Sequence, residues 1–145
     1  VEDYAKADLG QFELDIRPTG FFRNKAKNIL QTAKIIKREF KGKVPDSMEE
    51  LIKLPGVARK TANIVLSQGF SKVEGIAVDT HVKRLAQLHG LTAENDPNKI
   101  EQDLMKLLPK KEWPGFNLRL IEYGRKYCPA KKHDHQSCPL VKVLG

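Results

Sequence analysis

The chain has 145 residues, which fits one domain or two small lobes sharing a core. Its 26 lysines and arginines outnumber 18 aspartates and glutamates, giving a formal net charge of +8 that favours a polyanionic partner. No apolar run approaches the roughly 18 residues of a membrane span, and two cysteines are too few for a disulfide framework. With 40% hydrophobic residues the chain has enough apolar surface for a packed interior. No signal-peptide pattern opens it, so a cytoplasmic location is the default expectation. Val1 is not an initiator methionine, so the sequence is expected to be processed or excerpted from a longer one.

Taken in order, residues 1–9 and 11–17 read as two short amphipathic helices broken at Gly10. Tyr4, Ala5, Leu9, Phe12 and Ile16 are their expected buried side chains. Pro18-Thr19-Gly20 is a turn. From Phe21 or Phe22 to Phe40 runs the longest periodic segment, with Phe22, Ala26, Ile29, Leu30, Ala33, Ile36 and Phe40 on one stripe. Its other face carries Arg23, Lys25, Lys27, Lys34, Lys37 and Arg38. A solvated face is the simpler reading of these charges, and contact with nucleic acid is the alternative.

Residues 46–53 form a short predicted helix capped by Asp46 or Ser47, with glutamates in the first turn where the helix dipole favours them. Pro55-Gly56 then forces a turn, because proline fixes φ and glycine accepts positive φ. The segment 58–68 contains no breaker, and Ala62, Val65 and Leu66 share a face. Two helices joined this way make a helix-hairpin-helix unit, about 46–68. Amides around Gly56 and Ala58 at the start of the second helix suit a phosphate. Glycine at position 56 is expected to let a nucleic-acid backbone come close.

Farther on, Thr80 to Gly90 is a predicted helix with Val82, Leu85 and Ala86 inward and Gly90 just past its end. Asp96-Pro97 starts another, running to about Leu108 and burying Ile100, Leu104, Leu107 and Leu108. Trp113-Pro114 opens a last long helix that is apolar over much of its surface through Phe116, Leu118, Leu120, Ile121 and Tyr123. Nothing alternates with a period of two, so the predicted fold is all-α.

The stretch Leu54-Pro55-Gly56-Val57-Ala58-Arg59-Lys60-Thr61-Ala62-Asn63, followed by Ala77-Val78-Asp79-Thr80-His81-Val82, resembles the core of endonuclease III-type DNA glycosylases. These form the helix-hairpin-helix superfamily with a Gly/Pro-rich loop and a following aspartate. The similarity runs from about Val1 to Leu140 and covers the later part of a family member. It implies a two-lobed helical glycosylase fold that lacks the family's N-terminal helices. The first lobe would be 1–76 and the second 77–145, with the substrate cleft between them.

Lys60 is the expected nucleophile. A lysine amine attacks only when neutral, and the positive potential of an early helical turn, with Arg59 adjacent, favours that form, as does exclusion of water under bound DNA. The amine would attack C1′ of an extruded nucleotide, displace the base and leave a Schiff base from which β-elimination cuts the strand. Asp79 sits where an N-cap belongs. The resemblance also assigns to the aspartate it matches the stabilisation of charge on the sugar and assistance in proton transfer. Leu54, Pro55, Gly56, Val57, Ala58, Arg59 and His81 are the expected DNA-binding residues, His81 with a structural role as the competing reading. The resemblance further implies that hairpin carbonyls can hold a monovalent cation.

The pattern departs from the family in places. Ala58 stands where a second glycine is usual, and the helices preceding Val1 in the family carry much of the base pocket and the wedge. Many members bind an iron–sulfur cluster through C-x6-C-x2-C-x5-C, whereas counting from Cys128 this chain has His135, Cys138 and Leu144. Two thiolates are missing, so no four-cysteine cluster is expected and no cofactor or metal is assigned. A metal-free remnant is preferred, with zinc at Cys128, His133, His135 and Cys138 as the alternative.

The expectation is therefore a monomeric, nucleoid-associated base excision repair enzyme of the cytoplasm. It would be a bifunctional glycosylase and abasic-site lyase acting on damaged, oxidised pyrimidines in double-stranded DNA. A non-catalytic helix-hairpin-helix DNA-binding module is the alternative, and a helical protein-interaction domain the weaker third.

Overall fold

A computed structural model describes residues 1–144, and among them there is no β-strand. The helices are α1 (Glu2–Lys6), α2 (Leu9–Asp15), α3 (Phe22–Glu39), α4 (Met48–Leu51), α5 (Arg59–Gly69), α6 (Thr80–Leu88), α7 (Pro97–Leu107), α8 (Trp113–Lys126) and α9 (Pro139–Leu144). Short 3-10 turns occupy Arg17–Thr19, Lys110–Glu112 and His135–Ser137. The all-α expectation holds. By spatial proximity the residues group into two compact units, Val1–Ala62 and Asn63 onward. The functional lobes 1–76 and 77–145 are a different division and belong to the proposal below.

In the first unit α3 is the scaffold. Ala26, Leu30, Ala33 and Ile36 are buried at the helical spacing of three and four that the sequence shows. Both α1 and α2 lie against α3, yet neither contributes a buried residue. Tyr4 is 50% exposed and Leu9 43%, so the expected burial of this pair does not occur. Helices of five and seven residues form only a thin layer on one side of α3. Tyr4 instead meets Phe12 edge to face at 5.7 Å. The break between the two helices comes at Ala7–Asp8 rather than at Gly10. The Asp8 carboxylate accepts from the Gln11 amide at 2.8 Å and caps α2, which places Gly10 inside the first turn. Several cations of α3 serve this layer: Lys37 pairs with Glu2 at 2.7 Å, and Lys25 donates to the Thr19 carbonyl at 2.6 Å.

The second unit is built around α6, whose Val82, Leu85 and Ala86 are buried as expected. They join Ile76, Val78, Ile100, Leu104 and Leu120 in one core. The end of α6 closes as a left-handed glycine stop, with Gly90 at φ +68° and the Leu91 amide donating to the Ala86 carbonyl at 2.8 Å. Asp96 caps α7 by accepting from the amides of Asn98 and Lys99. Leu107, expected inside, is 59% exposed, whereas Glu101 on the same helix is buried. On α8, Leu118 likewise faces solvent while Asn117 is buried.

These inward polar groups find partners through asparagine amide nitrogens, while Asn63 Oδ1 is buried without a hydrogen-bond partner. Asn63 Nδ2 donates to Glu101 Oε1 at 2.8 Å, and Asn117 Nδ2 donates to the Ala77 carbonyl at 2.9 Å. Gly75 lies directly over the first pair: a Cβ there would sit 1.9 Å from Glu101 Oε1. A methyl group would push a buried carboxylate off its partner, which is far costlier than shifting a flexible surface chain. Gly75→Ala is therefore expected to lower stability by about 2 kcal/mol, read from the urea midpoint at unchanged slope. Gly69→Ala is the control, because nothing lies within 4 Å of that position; its midpoint should stay put or rise slightly.

Candidate active site

The hairpin starts at Ser47, not Asp46. The Ser47 hydroxyl oxygen accepts from the Glu50 amide at 3.3 Å and donates its proton to the Glu50 carboxylate at 2.8 Å. That reciprocal arrangement satisfies the exposed first turn of α4. Glu49 and Lys53 pair at 2.8 Å on its surface. The ammonium holds the Glu49 carboxyl below its ordinary value, and the carboxylate holds Lys53 above its own. Leu51 and Leu54 are buried and anchor the turn from below.

The turn itself is fixed by three contacts. The Val57 amide donates to the Leu54 carbonyl at 3.1 Å, and Thr32 Oγ1 of α3 donates to the Pro55 carbonyl at 3.0 Å. Gly56 has φ +74°, and a Cβ there would lie 2.8 Å from Asn28 Nδ2. The demand for glycine is thus doubly internal, through backbone conformation and through contact with α3. Both demands hold before any nucleic-acid backbone comes close. Ala58 follows, its carbonyl accepting from the Ala62 amide at 3.0 Å. Among the described residues the non-glycine positions of positive φ are Phe21, Lys41 and Ser71. Alanine in place of the usual second glycine therefore carries no backbone strain.

Lys60 is the second residue of α5 and is exposed. No ion pair with a described residue holds its amine. Arg59 beside it is exposed and engaged by a neighbour within the chain. Leu54, Pro55, Gly56, Val57, Ala58, Arg59 and Lys60 thus form one contiguous corner of the first unit. Beneath it lies a largely apolar groove of about 410 Å³, lined by Tyr4, Asn28, Ile29, Thr32, Gly56 and Thr61 among others.

In the second unit Asp79 and His81 share the start of α6. Asp79 Oδ1 accepts from the Val82 amide at 2.8 Å, the N-cap geometry expected of it. The preceding residues Ile76, Ala77 and Val78 are buried, and the Asn117–Ala77 bond fixes their backbone. Asp79 is therefore carried at the head of α6 by a buried segment of the second unit. His81 is half-buried, and its Nδ1 has no hydrogen-bond partner. A Cβ at Gly124 of α8 would sit 2.7 Å from that nitrogen, so this ring edge packs against α8.

Sequence reasoning did not find Asn28, Thr32, Gly75, Glu101 or Asn117, and named Asn63 only as the end of the hairpin motif. One signal was available: Asn28 and Thr32 are polar residues four apart, beside the apolar stripe of α3.

The iron–sulfur cluster that the resemblance implies does not fit this chain. Its cysteines are Cys128 and Cys138, both buried. The donors gathered with them are imidazoles, not thiolates.

Residues 1–110 match the family described as HhH-GPD superfamily base excision DNA repair protein. The endonuclease III of Synechocystis sp. is 52% identical over 139 residues, covering 96% of this chain and 64% of the relative. That of Bacillus subtilis is 43% identical over 143 residues, covering 98% and 65%. A solved non-covalent endonuclease III–DNA complex superposes with a TM-score of 0.89 at 42% identity, covering 98% of this chain and 66% of that one. A trapped endonuclease III–DNA covalent intermediate gives 0.88 at 42%, covering 97% and 66%. The chain thus spans a little under two thirds of the length of these relatives. Matched motifs, hairpin geometry and extended identity agree: the chain belongs to the HhH-GPD superfamily of base excision DNA repair proteins.

Proposed function

We propose that the chain is the catalytic part of a bifunctional DNA glycosylase and abasic-site lyase acting on damaged, oxidised pyrimidines in double-stranded DNA. One observation carries this reading: an exposed lysine, Lys60, sits in the first turn of α5 immediately behind a hairpin turn pinned to α3. Support comes from the trapped covalent intermediate formed by a relative 42% identical to this chain. The pyrimidine preference rests on the family resemblance. Lobes 1–76 and 77–145 would flank the substrate. The protein would act as a monomer, in the cytoplasm and associated with the nucleoid; no described helix is long and apolar enough to cross a membrane.

The hairpin amides of Gly56 and Ala58 receive a phosphate beside the extruded nucleotide, Val57 having committed its own amide to Leu54. Pro55 and Arg59 complete that surface, the buried Leu54 supports it from below rather than joining it, and His81 lines the DNA side of α6. The neutral Lys60 Nζ attacks C1′, forming a C–N bond as the glycosidic bond breaks. The base leaves with the bonding pair and is protonated, while the amine gives up its proton. Opening of the sugar ring yields a protonated Schiff base. Loss of a C2′ proton then expels the 3′ phosphate by β-elimination. Asp79 stabilises the positive charge on the sugar and passes the amine proton onward. No metal or cofactor enters these steps.

Borohydride trapping on a duplex with one abasic site tests the lysine. The chain should form a covalent adduct, and Lys60→Ala should reduce its yield by about three orders of magnitude. DNA affinity should fall linearly with salt on a log–log plot in both proteins. Absence of an adduct despite salt-sensitive binding would sink the lyase reading and favour the alternative, a non-catalytic helix-hairpin-helix DNA-binding module.

For Asp79 the two roles separate by substitution. Asp79→Asn keeps a capping oxygen, so stability should change by less than about 0.5 kcal/mol, whereas Asp79→Ala should cost about 1 kcal/mol. Both should slow single-turnover cleavage by about a hundredfold. Unimpaired cleavage by Asp79→Asn would leave the carboxylate with a cap's role only.

A further inference from the structure

Beyond the hairpin, four side chains of the C-terminal segment converge on one point. Cys128, His133, His135 and Cys138 each place a donor atom so that all four lie within 4.8 Å of one another. Cys128 Sγ is 3.6 Å from His135 Nδ1, and Cys138 Sγ is 3.3 Å from His133 Nε2. A tetrahedral zinc ion with Zn–S of about 2.3 Å and Zn–N of about 2.0 Å sets sulfur–nitrogen edges near roughly 3.6 Å. One pair stands at that spacing, at 3.6 Å, and the other is slightly closer, at 3.3 Å.

Groups around His133 and Cys128 support ligation, while Cys138 Sγ, which donates to the Tyr127 carbonyl at 3.2 Å, must give up that bond to bind a metal. His133 Nδ1 lies 2.9 Å from the Lys131 carbonyl. A carbonyl only accepts, so Nδ1 carries the proton and Nε2 turns its lone pair toward Cys138. Such an outer carbonyl fixes ligand tautomers in metal sites generally. Arg84 donates through Nη2 to the Cys128 carbonyl at 2.7 Å, with Nη1 3.7 Å from the Cys128 sulfur. A cation there suits a thiolate. Both sulfurs are buried in the core of the second unit, and no disulfide joins them.

We propose that Cys128, His133, His135 and Cys138 bind one zinc ion in a closed, structural site. Two thiolates cancel the charge of the divalent ion, and two imidazoles complete the tetrahedron. Four protein ligands leave no open position for substrate or water, so the ion holds structure and takes no part in chemistry. It fastens the loop 129–138, and through Cys138 the start of α9, to the core around α6 and α8. The convergence of these donors favours zinc over the metal-free remnant that ligand spacing alone suggested.

Cobalt titration of the reduced, metal-free chain provides the test. Tetrahedral d–d bands and a thiolate-to-cobalt charge-transfer band should saturate at one equivalent and disappear on adding zinc. Melting temperature should rise by several degrees with zinc. Cys138→Ser should lose the charge-transfer intensity of one thiolate. In case that buried variant misfolds, His133→Ala removes a ligand nearer the surface. It should keep its helical circular dichroism while binding cobalt about a hundredfold or more weakly. The proposal would be overturned by an absence of tetrahedral bands, by bands unchanged in His133→Ala, or by a mass two hydrogens lower with no metal uptake, the mark of a disulfide. A brown protein containing inorganic sulfide would also overturn it. None of these readouts depends on Lys60 chemistry.

Discussion

The backbone turn at Gly56 is the constraint on which the candidate site depends. Its left-handed φ and its contact with Asn28 admit no side chain, and Thr32 ties the neighbouring Pro55 carbonyl to α3. The hairpin is therefore referenced to the longest helix of its unit. The direction in which α5 departs, and with it the start that carries Lys60, is set by this anchoring. Short α4, with only four residues, has too few internal hydrogen bonds to hold such a geometry by itself.

The second unit solves a related problem with buried polar groups. Asp79 is preceded by an extended segment whose backbone carbonyls need partners once inside. Asn117 supplies one to Ala77, and Asn63 with Glu101 occupies the space that Gly75 leaves. Paired amides and carboxylates in a core specify a particular arrangement, because a displaced partner leaves an unsatisfied group behind. The candidate catalytic carboxylate is thereby given a fixed starting point at the head of α6.

Much of this was legible in the sequence. The Pro-Gly turn, the Asp96-Pro97 start and the Gly90 stop each carry their own local chemistry, and periodicity placed the buried stripe of α3. Local signals failed where tertiary context decides. Asp8 outcompeted Gly10 as the break because a capping carboxylate organises the turn, whereas a glycine is merely tolerated within it. Glu101 and Asn117 turn inward because each has a buried partner far away in the chain, which no window of adjacent residues reveals. The tie from Thr32 to Pro55 spans 23 residues and was invisible for the same reason. At the C-terminus the residues were legible but their convergence was not, since irregular ligand spacing says little about where a loop folds back.

The thin layer formed by α1 and α2 has a dynamic consequence. Neither helix contains a buried residue, and helices this short are marginal without tertiary support. Opening them exposes little new apolar surface, so it costs far less free energy than unfolding α3. Amide protons in this layer then exchange through local fraying, while those of Ala33 and Ile36 wait for wider opening. Stability in the first unit is graded, and the backbone beneath the hairpin belongs to its slow-exchanging end.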